Sequence, residues 1–368
     1  MKKISSLELH YILKEFDMLI DSRVDNIYNN EKEEFYFQFH KSNVGKIILK
    51  VLVGKSVFIS DSKNSGVLPS AYCQQLRKHL SGKFLRSIKQ INSERILELR
   101  FESKSEKRRV YIEFFGSGNI ILCDGDGIII NALTLHKFKD RDVLHKKEYK
   151  FPKFEYNFFK ITGKELVRFF KDSDKDKVVT ALATGLGFGG VYSEEVCLLA
   201  EVDKNIKPED VGEKEARSIL SGIKKIIINK NHPIMVYEDD EITDVVPFSL
   251  LNYENKEIKK VKSFSEGLEK YYLTVKPKRA SPYDQKLKEL ERITKEQEKA
   301  LKDLKNKEIE NKEKAELVYH NYKVIEEIIT EINKASKKHS WDEIRKKLKG
   351  HKIVKEINLK DKTVLVDI

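Results

Sequence analysis

A glycine-rich turn, Gly-Leu-Gly-Phe-Gly-Gly at residues 185–190, has the residue types of a phosphate contact. Apolar residues at Leu182, Leu186 and Val196 predict a helix on either side of the turn, as in a helix-hairpin-helix. Glycines let such a turn approach a phosphate, and the N-terminus of the following helix offers unpaired N–H donors. The same hairpin also occurs as a packing module, so both interpretations stay open. The candidate residues are Gly185, Gly187 and Gly189.

Glu94 and Arg95 form a charged pair at the start of a predicted strand, residues 95–101 (RILELRF). Arg95 has the parity of the leucines in this strand, so it begins on the face that turns inward. A buried arginine needs a partner. Two interpretations stay open: Arg95 pairs with Glu94 or Glu8 in a buried network, or it is exposed at the strand end and binds RNA phosphate or bases.

Two further motifs contain candidate ligand contacts. A helix predicted over residues 69–80 places Arg77 and Lys78 on different faces, where they either contact phosphate or are simply solvated. Gly118 and Asn119 lie in a predicted turn between strands, and tolerance of a left-handed backbone explains both residue types. A direct ligand contact is the alternative for this second pair.

Composition limits the class of protein and its partners. Three dispersed cysteines form neither a disulfide framework nor a zinc site, which points to a reducing compartment. No apolar run approaches the ~20 residues of a membrane span, and the first residues lack a signal-peptide core. We therefore expect a cytoplasmic protein with no membrane contact, no metal and no cofactor.

The chain of 368 residues carries 71 Lys plus Arg against 59 Asp plus Glu, a net charge of +12 that favours an anionic partner. Of these charges, 25 basic and 18 acidic residues fall between residues 276 and 368. A basic, helix-rich arm suits nucleic acid, although lysine-rich helices are often just solvated.

The elements that must position these residues indicate an α+β protein with three parts. Up to about residue 152, a helix over residues 6–20 precedes short strands joined by tight glycine turns, which predicts an antiparallel meander. Helices around the glycine-rich turn follow. A long helix with an apolar seam of period 3.5 then predicts a coiled coil that needs a partner, before a short capped helix and a hairpin. The predicted domains are residues 1–173, 174–275 and 280–368.

Six stretches, in this order along the chain, resemble the NFACT family. They are 76–80 (LRKHL), Gln90 with 94–95, 116–122 (GSGNIIL), 185–195 (GLGFGGVYSEE), 316–322 (ELVYHNY) and 340–344 (SWDEI). The family comprises RqcH/NEMF-like ribosome quality-control factors, also catalogued as fibronectin-binding-protein-A-like. The resemblance covers essentially the whole chain.

The resemblance implies a β-rich N-terminal domain related to formamidopyrimidine-DNA glycosylases, a helix-hairpin-helix domain, and a coiled coil with a small α/β middle domain at its tip. Family members continue with a returning coiled-coil helix and an RNA-binding C-terminal domain. Neither is present in these 368 residues, so we expect a shortened form of a longer chain or an unusually short member. The unpaired apolar seam also predicts self-association.

The resemblance further implies binding to a large ribosomal subunit obstructed by peptidyl-tRNA, and recruitment of tRNA, alanyl-tRNA in prokaryotic members, for untemplated tailing of the stalled chain. An Asp-Arg pair is the family signature, and here it is Glu94-Arg95. An acidic residue early in the first helix is also characteristic, and Glu8 stands there in place of the usual Asp. The candidate tRNA-binding residues are Glu8, Glu94, Arg95, Arg77, Lys78, Gly118 and Asn119.

Glycosylase chemistry is not expected of this chain. The related glycosylases attack the sugar with an N-terminal proline amine assisted by a glutamate, but this chain starts Met1-Lys2-Lys3. Their four-cysteine zinc finger also cannot form from three dispersed cysteines. We therefore predict a protein that is not an enzyme and has no catalytic residue. A DNA-binding or repair protein without glycosylase chemistry is the main alternative. Surface adhesion, suggested only by the family's older name, is disfavoured by the missing signal sequence.

Overall fold

The computed structural model describes residues 1–30, 33–63, 68–138, 141–274, 282–351, 353–358 and 363–367. Contacts divide the chain into two compact units, Met1–Pro277 and Lys278–Ile368. Within the described ranges, no helix is both long enough and apolar enough to cross a bilayer.

A nine-stranded antiparallel sheet forms the centre of the first unit in the described residues. Its strands are β1 (Arg23–Asn30), β2 (Glu34–Lys41), β3 (Gly45–Leu52), β4 (Ser56–Ser60), β5 (Phe84–Gln90), β6 (Ile96–Glu102), β7 (Lys107–Glu113), β8 (Asn119–Asp124) and β9 (Ile129–Ala132). They lie in the order β4-β3-β2-β1-β5-β6-β7-β8-β9. A helix, α2 (Ala71–Leu80), separates β4 from β5 in the chain, so the second meander starts afresh beside β1. The predicted α+β class with an antiparallel meander is confirmed.

Both faces of this sheet are buried along β6. Leu97 and Leu99 enter a large apolar cluster that also contains residues of α2. Ile96 enters a smaller cluster on the opposite face, together with Tyr111 and Tyr149. The inward face predicted for the leucines is confirmed, and the other face is covered as well. A short hairpin of β10 (His136–Lys137) and β11 (Asp142–Val143) follows the sheet.

The first helix, α1 (Ser6–Leu13), is shorter than predicted. The predicted extension to residue 20 is wrong. A capping box between Ser5 and Glu8 starts the helix. Beyond it, a short 3₁₀ helix covers Phe16–Leu19. The carboxylate of Glu15 accepts bonds from the backbone N–H groups of residues 264 and 265, at 2.6 and 3.0 Å. Beyond residue 13 the chain is thus held by a 3₁₀ helix and a long-range contact, without further α-helical turns.

The remainder of the first unit packs helices against a small sheet. The helices are α3 (Gly163–Lys171), α4 (Val178–Gly185), α5 (Gly190–Ala200), α6 (Glu213–Ile228) and α7 (Phe264–Thr274), and the strands are β12 (Ile234–Glu238), β13 (Glu241–Val246) and β14 (Glu257–Lys260). Leu7 and Tyr11 of α1 enter the core formed by these helices, while Leu9 and Ile12 enter the core of the large sheet. Helix α1 thus joins the two cores, and the domain boundary at residues 173/174 stays a prediction.

The second unit consists of helices followed by a hairpin: α8 (Pro282–His320), α9 (Tyr322–Ser336), α10 (Trp341–Lys347), β15 (Val354–Asn358) and β16 (Thr363–Val366). The single long helix predicted from the seam is two helices, because the backbone of Asn321 between α8 and α9 is not helical (φ −105°, ψ 19°). The Asn321 side chain and its backbone N–H both donate to the carbonyl of Leu317, at 3.0 and 3.1 Å, so the side chain shares an acceptor with the helix. Trp341 packs against a small cluster around Ile344. Pairing of α8 as a coiled coil stays a prediction.

Candidate functional site

Three hairpin turns of the large sheet lie close together: a Cβ on Gly118 would come within 2.1 Å of the Gly54 nitrogen, and the Phe114 N–H donates to the Arg95 carbonyl. They are residues 53–55 between β3 and β4, residues 91–95 between β5 and β6, and residues 114–118 between β7 and β8. The chain from Lys2 to Ser6 runs beside the three turns and forms hydrogen bonds with each of them. Candidate residues that are far apart in the sequence are thereby collected around the first turn of α1.

The N-terminal segment is bonded to each of these turns. The Ile4 N–H donates to the Lys55 carbonyl at 2.7 Å. Lys3 Nζ donates to the carbonyl of residue 116 at 3.4 Å, and the Ser6 hydroxyl donates to the carbonyl of residue 93. At its other side, the Lys2 N–H donates to the hydroxyl of residue 271 at 2.9 Å, and its carbonyl accepts from that of residue 272 at 2.7 Å. The segment is therefore fixed along its whole length.

Glu8 is fully engaged inside the protein, with only 1% of its surface exposed. Its Oε1 lies 2.6 Å from Lys2 Nζ and accepts from the Tyr192 hydroxyl at 2.9 Å, and its Oε2 accepts from the Ser5 N–H at 2.8 Å. Lys2 Nζ lies equally close to a carboxylate oxygen of Asp244. Burial alone would lower the pKa of Lys2, but the two carboxylates outweigh it and raise that pKa above 10.5. The interpretation that Arg95 pairs with Glu8 is wrong, because Lys2 is the partner of Glu8.

The backbones of Glu94 and Arg95 are held by hydrogen bonds, whereas their side chains form none in the described residues. The side chain of Gln90 donates to the Glu94 carbonyl at 2.9 Å and to the carbonyl of Ser6 at 2.9 Å, and the Phe114 N–H donates to the Arg95 carbonyl at 2.9 Å. Both charged side chains are half-buried, yet neither forms a hydrogen bond or an ion pair within 4.0 Å in the part of the chain that the structure describes. Arg95 therefore forms no ion pair with Glu94 within 4.0 Å, although the two charges still attract each other.

Their surroundings perturb both charges. Burial raises the pKa of the Glu94 carboxyl, and nearby Arg95 opposes the shift. Burial also lowers the pKa of the Arg95 guanidinium, which Glu94 opposes in turn. Each charge has thus lost part of its hydration without gaining a hydrogen-bonded partner. A ligand that supplies acceptors to Arg95 and donors to Glu94 would complete both groups.

Gly118 is required because the β7–β8 turn packs closely against the β3–β4 turn. Its φ is +78°, which confirms the predicted left-handed turn, and a Cβ there would come within 2.1 Å of the Gly54 nitrogen. Asn119 differs, because it begins β8 and is 4% exposed. Its carboxamide donates to the Thr134 carbonyl at 2.9 Å and accepts from the Thr134 N–H at 3.0 Å. The backbone explanation for Asn119 is wrong, since its amide holds the segment that starts at Thr134.

The glycine-rich turn joins α4 to α5 beside the first turn of α1. Gly187 and Gly189 have φ values of +75° and +77°, which other residues rarely adopt. A Cβ on Gly189 would lie 3.9 Å from Ser5 Cβ, whereas Gly187 faces open space. Gly185 packs directly on the ring of Phe169, where a Cβ would come within 2.6 Å. The helix-hairpin-helix assignment and a phosphate contact at the turn stay predictions.

Arg77 and Lys78 lie elsewhere in the unit, on α2. The Arg77 guanidinium donates to the Ile27 carbonyl at 2.5 Å and lies 5.3 Å from the ring centroid of Tyr28. Lys78 is exposed. The contacts of Arg77 are made with β1 and not with the first turn of α1, so these two residues form no common site with Arg95.

Two lysines near the site were not among the sequence candidates. Lys3 is exposed beside the turn at residue 116, and Lys55 is bonded to Glu33 at 2.7 Å. The pair Lys2-Lys3 is visible in the sequence, but nothing local indicates that one is buried and the other exposed. In the described residues no three potential metal ligands cluster, and the three cysteines are unpaired and buried.

Residues 5–365 match the family described as NFACT N-terminal and middle domains. The chain belongs to the NFACT family. This NFACT chain is 29% identical to the archaeal Rqc2 homolog aRqcH of Methanocaldococcus jannaschii, covering 95% of this chain and 55% of that one. It is 22% identical to the ribosome quality control complex subunit NEMF of Homo sapiens, covering 93% and 35%. The chain thus spans about half the length of the first relative and about a third of the second.

The fold has a counterpart among solved structures. The fibrinogen binding protein from Staphylococcus aureus superposes with a TM-score of 0.60 at 19% identity, covering 73% of this chain and 98% of that one. At this identity the similarity concerns the fold alone. The relation of the sheet to formamidopyrimidine-DNA glycosylases stays a prediction.

Proposed function

We propose that this NFACT chain is a non-enzymatic ribosome quality-control factor that binds tRNA and the large ribosomal subunit in the cytoplasm. The observation that carries the proposal is the disengaged Arg95 beside Glu94, on a backbone fixed by Gln90 and Phe114. The names of the archaeal and human relatives support the quality-control role.

The chemistry of the pair suits RNA. A guanidinium presents several N–H donors in a plane, which match two phosphate oxygens or the edge of a guanine. An adjacent carboxylate accepts bonds from a base amino group or a ribose 2′-hydroxyl and disfavours simple anions. The pair therefore favours RNA with a defined contact over a free phosphate, and exposed Lys3 adds long-range attraction.

In this proposal the protein positions tRNA, and the ribosome makes the peptide bond during untemplated tailing. Alanyl-tRNA is the proposed cargo, on the basis of the family resemblance. The Lys2 ammonium is paired with two carboxylates and is a poor nucleophile at neutral pH.

Binding of labelled tRNA at two salt concentrations tests the proposal. Arg95→Ala is expected to weaken binding at least about tenfold, because a charged bidentate contact is lost. Arg86→Ala is the matched control, since Arg86 lies near the opposite end of β5 and pairs with Asp21 at 2.5 Å. Salt-insensitive binding, or equal binding by the Arg95 variant, would contradict the tRNA site.

Two further experiments address the finer parts. Co-sedimentation with large ribosomal subunits, followed by sequencing of bound tRNA, tests the ribosomal partner and the alanine specificity. A duplex DNA competitor that displaces tRNA at equal concentration would favour the DNA-binding alternative instead. Sedimentation of the chain alone at two concentrations tests self-association through α8, whose Leu301 and Leu304 are more than half exposed.

A further inference from the structure

A second surface of the first unit combines exposed rings with lysines. We call it the aromatic–basic surface and define it as residues 135–138 and 141–154. It contains six Lys plus Arg and two Asp plus Glu, a net charge of +4. Two phenylalanines, Phe138 and Phe151, are each 38% exposed. The exposed lysines around them are Lys137, Lys146, Lys147, Lys150 and Lys153.

The surface is rigid because a buried ion pair fixes it to the sheet. Arg141 Nη1 and Nη2 donate to the two carboxylate oxygens of Glu113 at 2.6 and 3.1 Å, and the side chains are 4% and 3% exposed. The Tyr149 hydroxyl donates to the same carboxylate at 2.8 Å. Such a bidentate, satisfied pair anchors Arg141 and Tyr149 to the sheet.

Each exposed phenylalanine is supported by other aromatic or cationic groups. The Phe151 ring lies edge-on to Tyr149 and Tyr111, with centroids 5.2 and 5.6 Å away, and those two tyrosines stack at 4.2 Å. The Phe138 ring lies 4.5 Å from that of His136 and 5.0 Å from the Arg141 guanidinium carbon. Both rings are therefore held in place before any ligand arrives, which lowers the entropy cost of binding.

This surface adjoins the Arg95 site. The Arg141 guanidinium carbon lies 5.7 Å from the ring centroid of Phe115. The backbone N–H of the residue before it, Phe114, donates to the Arg95 carbonyl. Ile96, the residue after Arg95, shares an apolar cluster with Tyr149. A polynucleotide held by Arg95 can therefore extend toward the exposed rings.

We propose that the aromatic–basic surface binds unpaired RNA nucleotides, with bases stacked on Phe138 and Phe151 and phosphates on the neighbouring lysines. The inference rests on the proposed function, in that RNA is the partner, and adds a second contact with a preference for single strands. Stacking needs an open base face, which a duplex does not offer. A protein partner fits less well, because the cores of protein interfaces are depleted in lysine.

Binding of the complete 368-residue chain to a labelled, unstructured 12-nucleotide RNA tests the inference. Phe138→Ala with Phe151→Ala is expected to weaken this binding at least about tenfold, while binding to a duplex RNA of equal length changes less than about twofold. Phe84→Ala is the matched control, because Phe84 is 37% exposed at the opposite end of β5 and is expected to change binding less than about twofold. An equal loss in the control, or an equal loss on duplex RNA, would overturn the proposal.

The phosphate contacts have a separate measurement. Lys147→Gln with Lys150→Gln is expected to reduce the slope of log K against log salt by about 0.7 for each lysine, whereas the phenylalanine variant leaves that slope unchanged. A 2-aminopurine placed in the RNA reports stacking directly, and its quenching should disappear only in the phenylalanine variant. Quenching that survives in that variant would count against the stacked bases.

The outcomes separate this inference from the proposed function. If the chain binds tRNA in an Arg95-dependent way but is indifferent to Phe138 and Phe151, the surface is not an RNA site and the proposed function stands. If no RNA is bound at all, both fail together. If the single strand is bound through the phenylalanines while Arg95→Ala has no effect, the surface is supported and the Arg95 site is not.

Discussion

The ammonium of Lys2 lies 2.6 Å from Oε1 of Glu8, in the interior of the first unit. Asp244 of β13 approaches the same ammonium at 2.6 Å, and the Tyr192 hydroxyl of α5 completes the carboxylate of Glu8. One buried cation thus links the N-terminal segment, α1 and β13, and through Glu8 it also links α5. Glu8, the acidic residue that the family resemblance assigned to tRNA binding, stabilises the interior beneath the candidate site. Its direct contact with RNA stays a prediction.

Lys2→Met should strongly destabilise the first unit, because it leaves two buried carboxylates without their cation. We expect a loss of about 3–5 kcal/mol in the free energy of unfolding, measured by urea denaturation at pH 7. The raised pKa of Lys2 means that this contribution is fully present below pH 10.5 and is lost only as the pH rises further. Lys3→Met, at the exposed neighbour, should cost less than about 0.5 kcal/mol. Equal effects of the two variants would contradict the buried network.

Gly118→Ala separates close packing from backbone strain at the turn of β7 and β8. A Cβ there would overlap the Gly54 backbone, so we expect a loss of at least about 3 kcal/mol in a chemical denaturation experiment. Gly45→Ala is the control, since Gly45 also has a positive φ, +89°, but has nothing within 4 Å of the new Cβ. It should cost only about 1–2 kcal/mol. Similar losses in both variants would show that the turns are not in contact.

Glu98→Gln should alter the acid sensitivity of the first unit. Burial raises the pKa of this carboxyl, but bonds from Arg100, Lys89 and Tyr111 outweigh burial and the net pKa is lowered below 4.5. A lowered pKa contributes stability above pH 4.5 that is lost as the pH falls through the folded value. The variant should therefore be about 1.5–3 kcal/mol less stable at pH 7, with the difference shrinking below pH 4.5.

Urea denaturation between pH 7 and pH 3 measures this difference. Glu155→Gln, at an exposed position, is the control and should change the free energy of unfolding by less than about 0.5 kcal/mol at neutral pH. A difference between wild type and Glu98→Gln that stays constant down to pH 3 would rule out the stabilised carboxylate.

Arg141→Met tests the pair that fixes the aromatic–basic surface. Removal of the guanidinium leaves the Glu113 carboxylate buried with only the Tyr149 hydroxyl, and we expect a loss of about 3–5 kcal/mol by thermal or chemical unfolding. Adding Glu113→Gln to this variant should restore part of the loss, because no unpaired charge then remains. A double variant less stable than the single one would mean that the pair itself is not the source of the effect.

The meander could be predicted because several of its turns are marked by glycines and most of its strands are short apolar runs. No strand is predicted from the sequence over β1 or β5, and the two strands share a reason for this. The register of β1 shifts between Val24 and Asn26, and that of β5 shifts between Leu85 and Ser87. Such a bulge interrupts the two-residue period on which strand prediction depends. The three strands of the smaller sheet were also not predicted.

The candidate site could be predicted only where it is local. Glu94-Arg95 and Gly118 lie in turns that neighbouring residues define. The network around Lys2 and Glu8 could not be derived from the sequence, because Tyr192 is 184 positions from Glu8 and Asp244 is 242 positions from Lys2. Glu113 offered an unused signal: an acidic residue inside an apolar strand implies a buried cationic partner, here Arg141.

The bonds between Lys2 and the two tyrosines of α7 also determine when the N-terminal segment becomes fixed during synthesis of the protein. Residue 2 is synthesised long before residues 271 and 272, and its backbone cannot be fixed until they follow. The bonds from residues 4 and 6 to the turns need no part of α7, but the backbone of Lys2 is held only after α7 has been made. The start of the segment, which carries the buried ammonium between Glu8 and Asp244, is therefore fixed late in translation of the first unit.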